Sequence, residues 1–301
     1  MEFKSCPLIS VIVPCFNSGR TIKRTILSIS KQTWFKKEII IVNDGSTDQF
    51  TINTLKDLKD QKIVKLINQE NKGLASARNQ GVNESSGSFL FFLDADDWIE
   101  PNGLEIMCLH LMRNKKFVYV FPDIHLEGKR RGFIKKEFNF FEQLFLNQIP
   151  YCIFISKENF KNYGIYDENM KLGYEDWDLN IKLGINKIFG KRLPLPLFHY
   201  DVQNTGMLLS KSINNHIKIW KSIKTKNSRV YKISYLFSEW KLWRRNPSSY
   251  PLFIFFIWYF ILNIMPDNFS LKLFLSLRTI NMFVKRIIFK KKLKTNIKTY
   301  E

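Results

Sequence analysis

The chain has 301 residues, of which 45% are hydrophobic, 15% aromatic and 25% charged. That composition excludes wholesale disorder and provides for one large domain or two modest ones with a substantial buried core. The formal net charge of +20 is unevenly placed: residues 209–301 carry 19 Lys and Arg against 3 Asp and Glu, while residues 1–208 carry 28 against 24. Cys6, Cys15, Cys108 and Cys152 are scattered and form no CxxC pair. This argues against a disulfide framework or a Cys-rich zinc site and fits a reducing compartment. The opening MEFKSCPLISVIVP has no long apolar stretch with a small-residue cleavage site, so no signal peptide is expected.

Residues 8–13 are a β-branched apolar run stopped by Pro14 and predict a buried strand. Asn17-Ser18-Gly19 opens a helix with Ile22, Ile26 and Ile29 on one face. Residues 38–42 predict a second strand, stopped by Asn43-Asp44-Gly45-Ser46, and Thr47-Asp48 can cap a helix reaching about Lys59. Residues 63–68 predict a third strand, 73–83 a helix and 88–93 a fourth strand. Strand and helix alternate with short turns, the pattern of a doubly wound, mostly parallel α/β sheet. Such sheets bind ligands outside the carboxyl ends of their strands.

Beyond Pro101 the alternation weakens. Residues 104–113 read as helix, 116–121 as extended, 129–136 as a charged turn or hairpin, 138–146 as helix and 151–156 as strand. Residues 174–189 predict a helix with Trp177, Ile181 and Ile185 on one face, and 195–200 an extended segment. From about residue 208 the chain reads as helix, interrupted at Pro247, Pro251 and Pro266. The expected division is an α/β unit over residues 1–208 and a helical, basic, aromatic region over 209–301. The longest apolar run, residues 252–265, is shorter than the roughly 20 residues of a spanning helix. It suits a helix lying in the interface of an anionic membrane, or a buried helix followed by a solvated Lys tail. No nucleic-acid motif accompanies the basic stretch, and its Phe and Ile content argues for lipid, so no nucleic-acid partner is expected.

Three polar turns follow apolar strands and should share one edge of the sheet: Pro14-Cys15-Phe16-Asn17, Asn43-Asp44-Gly45-Ser46 and Asp94-Ala95-Asp96-Asp97. Three carboxylates within four residues repel one another. Either a hard divalent cation neutralises them or the turn is a solvated, Asp-rich cap. Residues 72–81 form a helix with small residues on its packing side, and its Arg78 can reach a phosphate or pair with a structural carboxylate. Glu175 and Asp176 open the 174–189 helix. They either complement its dipole or supply a carboxylate that stays ionised and can act as a general base. His199 stands at a strand end and reads as a structural residue or a metal ligand.

In this order the pieces resemble the family 2 glycosyltransferases of the GT-A fold, over residues 10–207. The elements that carry the resemblance are Ser10-Val-Ile-Val-Pro-Cys-Phe-Asn17, Ile41-Val-Asn-Asp-Gly-Ser-Thr-Asp48, Asn71-Lys-Gly-Leu-Ala-Ser-Ala-Arg-Asn79, Leu93-Asp-Ala-Asp-Asp-Trp98 and Gly173-Tyr-Glu-Asp-Trp-Asp-Leu179. The resemblance implies transfer of a sugar from a nucleoside diphosphate sugar, usually a UDP-sugar, to an acceptor hydroxyl with inversion. It implies that Asp44 holds the base and that Pro14, Phe16 and Asn17 pack on the nucleoside. Arg78 would sit near the nucleotide or Asp94. Asp94, with Ala95 beside it, would contact the ribose or donor sugar. Asp96 would ligate Mn²⁺ or Mg²⁺, with His199 as a further ligand. Asp176 would be the general base and Glu175 would orient the acceptor.

The sequence departs from the family pattern at Asn43, at Asp201 where Arg is common, and at Thr205-Gly206-Met207, which replaces a Ser-Met pattern. By the habit of the family, the expected acceptor is a lipid-linked glycan in surface-polysaccharide assembly. The expected location is the inner face of the cell membrane. Two rivals remain ahead of a last one, a basic nucleic-acid-binding protein. One is a sugar-nucleotide-binding or assembly subunit without turnover. The other is a nucleotidyltransferase, which would normally need a glycine-rich first turn that Pro14-Cys-Phe-Asn17 does not provide.

Overall fold

The computed structural model describes residues 6–113, 119–202, 215–248 and 250–266, together with residues 269, 272, 273 and 276. Strand β1 (Ile9–Cys15) is buried along its whole length. It lies between two cores: Ile9, Val11 and Val13 enter one and Ile12 the other. That is why its sequence is a continuous apolar run rather than an alternation. Helix α1 (Gly19–Ser30) buries Ile22, Ile26 and Ile29 as its spacing predicts. Then come β2 (Lys37–Asp44), α2 (Gln49–Asp60), β3 (Lys65–Gln69), α3 (Leu74–Asn83) and β4 (Phe89–Phe92). Asp48 caps α2 by accepting the Thr51 N–H at 2.8 Å, an interaction worth about 1 kcal/mol. Helix α3 lies close on the sheet because Gly81 faces it. A Cβ there would stand 2.4 Å from Ile12 Cγ2.

β1 pairs in parallel with both β2 and β4, and β2 with β3. The chain continues through β5 (Trp98–Ile99), α4 (Gly103–Arg113), β6 (Tyr119–Gly128), β7 (Gly132–Ile134), α5 (Phe140–Gln143), β8 (Phe154–Ser156), α6 (Lys157–Tyr163), α7 (Glu175–Ile185) and β9 (Gly190–Val202). The sheet order is β3-β2-β1-β4-β8-β6-β9-β5, with β7 hairpinned onto β6. β6 and β9 are parallel, whereas β8 runs antiparallel to β4 and β6, and β5 antiparallel to β9. The doubly wound arrangement therefore extends over the first four strands and is completed by short antiparallel ones.

Several bounds differ from the sequence reading. The helix expected over 138–146 is reduced to four residues. The helix expected to reach residue 189 ends at Ile185, where Lys187 takes a φ of 62° and the Ile188 N–H returns to the Leu183 carbonyl at 2.9 Å.

Helices α8 (His216–Lys226), α9 (Ile233–Trp243) and α10 (Phe253–Ile264), with a 3-10 turn over Ser228–Tyr231 between α8 and α9, make up the described C-terminal region. The boundary expected near residue 208 lies outside the described residues. The three helices pack into the core formed by α5, α7 and one face of the sheet. The Trp220 indole N–H donates to the Leu144 carbonyl at 3.0 Å, and the Phe145 and Phe255 rings lie 5.2 Å apart. Helix α10 has two apolar faces. Phe255, Trp258 and Leu262 enter the core, while Phe253, Ile257, Phe260 and Ile264 are exposed. Among the described residues no helix is long and apolar enough to cross a membrane.

Candidate active site

The three strand-end turns do meet at one edge of the sheet. Asn17 holds the first two together: its Oδ1 accepts the N–H groups of Thr47 (2.8 Å) and Asp48 (3.2 Å), and its own N–H donates to Ser46 Oγ at 3.0 Å. It does so from a left-handed backbone, φ 51°, which Asn tolerates better than most residues. Pro14 is buried within β1, and Phe16 stands 46% exposed beside the clasp. Asp44 is buried and spans to the next turn. Its carboxylate accepts Gln69 Nε2 at 2.7 Å and the N–H groups of Lys72 (2.8 Å) and Gly73 (2.9 Å). Asp44 thus shapes the entrance to α3.

Arg78 is the hub. It is 1% exposed, and its guanidinium donates to Asp94 Oδ1 at 2.7 Å and to Glu175 Oε1 at 2.5 Å. The Tyr151 and Tyr166 rings lie against it at 4.8 Å and 5.4 Å. Burial alone would lower its pKa, but Asp94, Tyr166 and Glu175 outweigh burial and hold the guanidinium well above its usual value.

Around this hub the Asp-rich turn divides into two kinds of carboxylate. Asp97 is fully buried. It takes the Tyr151 hydroxyl on one oxygen and the Asp201 N–H on the other, at 2.8 Å. Burial, with Asp96 and Asp94 nearby, raises its pKa well above the usual range. Asp97 therefore fixes the turn to β9 and to the loop before β8. Asp96 instead lies beside Asp94, Asp201 and Arg24, and burial together with Asp94 pushes it up to about 6. Ala95 is buried between them, its carbonyl accepting from Thr25 Oγ1 at 3.0 Å. The carboxyl groups of Asp94 and Asp96 form an all-oxygen set whose mutual repulsion is only partly answered. That chemistry fits a hard divalent cation.

Asp176 sits in the first turn of α7, after Gly173 (φ 93°) and Tyr174 (φ 59°). Asn147 Nδ2 donates to both of its oxygens, at 3.1 Å and 3.0 Å. Burial and the neighbouring Glu175 push it up to about 7, against the opposing pull of Asn147 and Arg78. Burial and the neighbouring Glu175 thus oppose the ionised form that the helix terminus favours. A carboxyl group that titrates near neutrality is well matched to proton abstraction.

The structure does not join His199 to this group. Its Nδ1 lies 2.7 Å from Glu127 Oε1 and its Nε2 2.7 Å from Glu100 Oε1. Its neighbour Tyr200 instead lies near Asp97, Asp94 and Asp96. Tyr151, Asn147 and the Arg24–Asp201 ion pair (2.8 Å) are site residues that sequence reasoning missed. The one trace was Asp201 standing where Arg is common, and here α1 supplies the arginine. Thr205, Gly206 and Met207 lie outside the described residues.

The sequence profile of glycosyl transferase family 2 matches residues 10–175. The chain belongs to that family. This family member is similar to the putative glycosyltransferase EpsH of Bacillus subtilis (strain 168), 41% identical over 101 residues, 34% of this chain and 29% of EpsH. It is also similar to the Escherichia coli UDP-Glc:alpha-D-GlcNAc-diphosphoundecaprenol beta-1,3-glucosyltransferase WfgD, 38% identical over 114 residues, 37% of this chain and 44% of WfgD. The chain thus spans less than half the length of either relative. Among solved structures it resembles S. aureus TarS 1–349 in complex with UDP-GlcNAc, with a TM-score of 0.61 and 18% identity, over 80% of this chain and 75% of that one. That likeness shows a GT-A-like fold.

Proposed function

We propose that this family 2 glycosyltransferase moves a sugar from a UDP-sugar to an acceptor hydroxyl with inversion at the anomeric carbon. The observation that carries this reading is the Arg78 bridge, which joins Asp94 at the nucleotide edge to Glu175, the neighbour of Asp176. One guanidinium thereby sets the spacing between a donor side and a base. On the donor side, Phe16 and Asn17 pack on the nucleoside over the buried Pro14. Asp44 uses three of its roughly four acceptor positions internally and keeps one for the base. Asp94 and Ala95 meet the ribose or sugar. Asp94 and Asp96 would hold Mn²⁺ or Mg²⁺, which when bound supplies positive charge to the leaving diphosphate. On the acceptor side, Asp176 takes the hydroxyl proton and Glu175, fixed by Arg78, orients the acceptor.

A lipid-linked glycan is the acceptor we favour. The named substrate of WfgD supports it, as does the exposed apolar stripe of α10 in a C-terminal third rich in Lys and Arg. Those features suit a peripheral protein on the anionic inner face of a membrane. The test is donor hydrolysis across a panel of nucleotide sugars with Mn²⁺, Mg²⁺ or EDTA, followed by transfer with the substrate that responds. Metal-dependent release of one nucleotide supports the reading. In Asp176→Asn, loss of turnover with donor binding retained separates an enzyme from a mere sugar-nucleotide-binding subunit. Absence of both hydrolysis and UDP binding by the wild type would overturn it.

A further inference from the structure

We propose a transition-metal site, distinct from the Asp94–Asp96 set, formed by His125 and Glu127 on β6 and His199 on β9 and suited to Zn²⁺. β6 and β9 pair in parallel with His125 directly opposite His199. Side chains two residues apart on a strand share a face, so Glu127 joins them. One ligand atom from each of the three lies within 4.8 Å of the other two. Glu127 Oε1 is 2.7 Å from His199 Nδ1 and 3.6 Å from His125 Nδ1. Metal bonds of about 2.0–2.1 Å in a tetrahedron space the ligand atoms roughly 3.3 Å apart. The observed separations lie on both sides of that value, so small side-chain movements would close the site on an ion.

Two further features point to a metal rather than to a chance cluster. The second nitrogen of His199 is already held by Glu100, at 2.7 Å. A carboxylate on the far nitrogen fixes the tautomer and ring direction of a ligating imidazole, so that the near nitrogen, now against Glu127, would face the ion once it gives up that contact. Both rings are also clamped: His199 stacks on Trp98 (4.9 Å, 12°) and His125 on Phe133 (4.8 Å, 16°). Ligands that are already oriented lose little freedom on binding. Two carboxylates, Glu100 and Glu127, meet on one imidazole, an arrangement whose charge a divalent cation would balance. Two nitrogens and one oxygen select a borderline ion such as Zn²⁺ over Mg²⁺ or Mn²⁺. His125 and Glu127 are about one-third exposed, at 35% and 34%, which leaves an approach and a fourth position for water.

The site needs no sugar chemistry. β5 pairs with β9 through Trp98 and Ile99, immediately after the Asp94–Asp97 turn. A metal that binds β6 to β9, with Glu100 engaged from the end of β5, would brace that turn from outside.

The experiment uses the full chain, stripped with a chelator and titrated calorimetrically with Zn²⁺, then with Co²⁺ for its visible spectrum. We expect one equivalent of Zn²⁺, retained in Asp96→Asn and lost in His125→Ala and in the isosteric Glu127→Gln. Co²⁺ should show the intense visible bands of a four-coordinate ion. Glu100→Gln should weaken binding roughly 10- to 100-fold without changing the stoichiometry. Far-UV circular dichroism checks that each variant is folded, and Glu127→Gln alone decides the matter if His125→Ala is not. No binding by the wild type would overturn the proposal, as would an equivalent that survives Glu127→Gln or disappears in Asp96→Asn. Several weak equivalents indifferent to all the variants would mean an adventitious ion only.

Discussion

Replacing Asn147 with Ala should shift the pH dependence of turnover upward. The Asn147 amide donates to both oxygens of Asp176, at 3.1 Å and 3.0 Å, and is the chief hydrogen bond opposing the rise of that carboxyl to about 7. A hydrogen bond to a charged group is worth about 1.5–3 kcal/mol. One amide shared between two oxygens belongs at the low end, or about one pH unit. The midpoint should therefore move from about 7 to about 8. If Asp176 must be ionised to act, the wild type is half active at its midpoint and the variant about one-tenth active there. The deficit is about fivefold near pH 7 and nearly vanishes near pH 9. The assay is a profile of kcat/KM against pH, from about pH 6 to about pH 9, with the responsive donor and metal at saturation. A midpoint that stays put or moves down would refute the reasoning. So would a uniform loss at every pH, which would mean that Asn147 places the carboxylate without tuning it.

Asp176→Asn should lower turnover by roughly 10²- to 10⁴-fold, with UDP affinity by calorimetry unchanged. The same variant should gain thermal stability at alkaline pH. The folded-state value of about 7 lies above the ordinary 3.8, so stability is fullest below the ordinary value and is lost as the pH rises through that window. A Tm difference that does not grow with pH would contradict this. Arg78→Met leaves Asp94 and Glu175 without their shared, buried counter-ion; a cost of about 3–5 kcal/mol is expected in urea unfolding. Gly81→Val drives a Cβ to 2.4 Å from Ile12 and should cost about 1–3 kcal/mol or more, read as a lower Tm. Phe260→Glu, on the exposed face of α10, should reduce co-sedimentation with anionic liposomes while leaving Tm unchanged.

Strands β1, β2 and β4 were legible because both faces of the sheet are covered there, whereas β3 lies half-buried at its edge. Full burial writes itself into the sequence as apolar runs separated by polar turns. The same turns announced Asn17, Asp44 and Asp94, which follow parallel neighbouring strands and so stand at one edge of the sheet. Past β4 the signal fades, since β5, β7 and β8 are two or three residues long, too short to show a period. The partners of the site were hidden for a different reason. Asn147 meets Asp176 across 29 positions, Tyr151 meets Asp97 across 54 and Arg24 meets Asp201 across 177. Each such pair depends on the register between elements that no local pattern encodes. The same is true of His199, whose strand was foreseen but whose neighbours are set by how β9 lies against β6 and β5. The titration of Asp176 could not be read at all, because it arises from the packing of Glu175 and from burial rather than from the helix terminus on which the acid is written.

Helix α7 is supported from behind. Trp177, next to Asp176, stacks on His216 of α8 at 5.1 Å, and Lys226 at the far end of α8 reaches back to Asp178 at 2.8 Å. α8 in turn meets α10, where Lys224 lies over the Tyr259 ring at 4.9 Å, and the Tyr259 hydroxyl donates to the Tyr231 carbonyl at 2.9 Å. The path from Asp176 to the exposed stripe of α10 is thus packed throughout. Whatever surface receives that stripe would meet Asp176 at a height set by packed helices rather than by a linker. If the proposed lipid-linked acceptor is the substrate, that packing would act as a depth gauge: an acceptor hydroxyl tethered too near the surface or too far from it would miss the carboxylate, whatever the chemistry of its sugar.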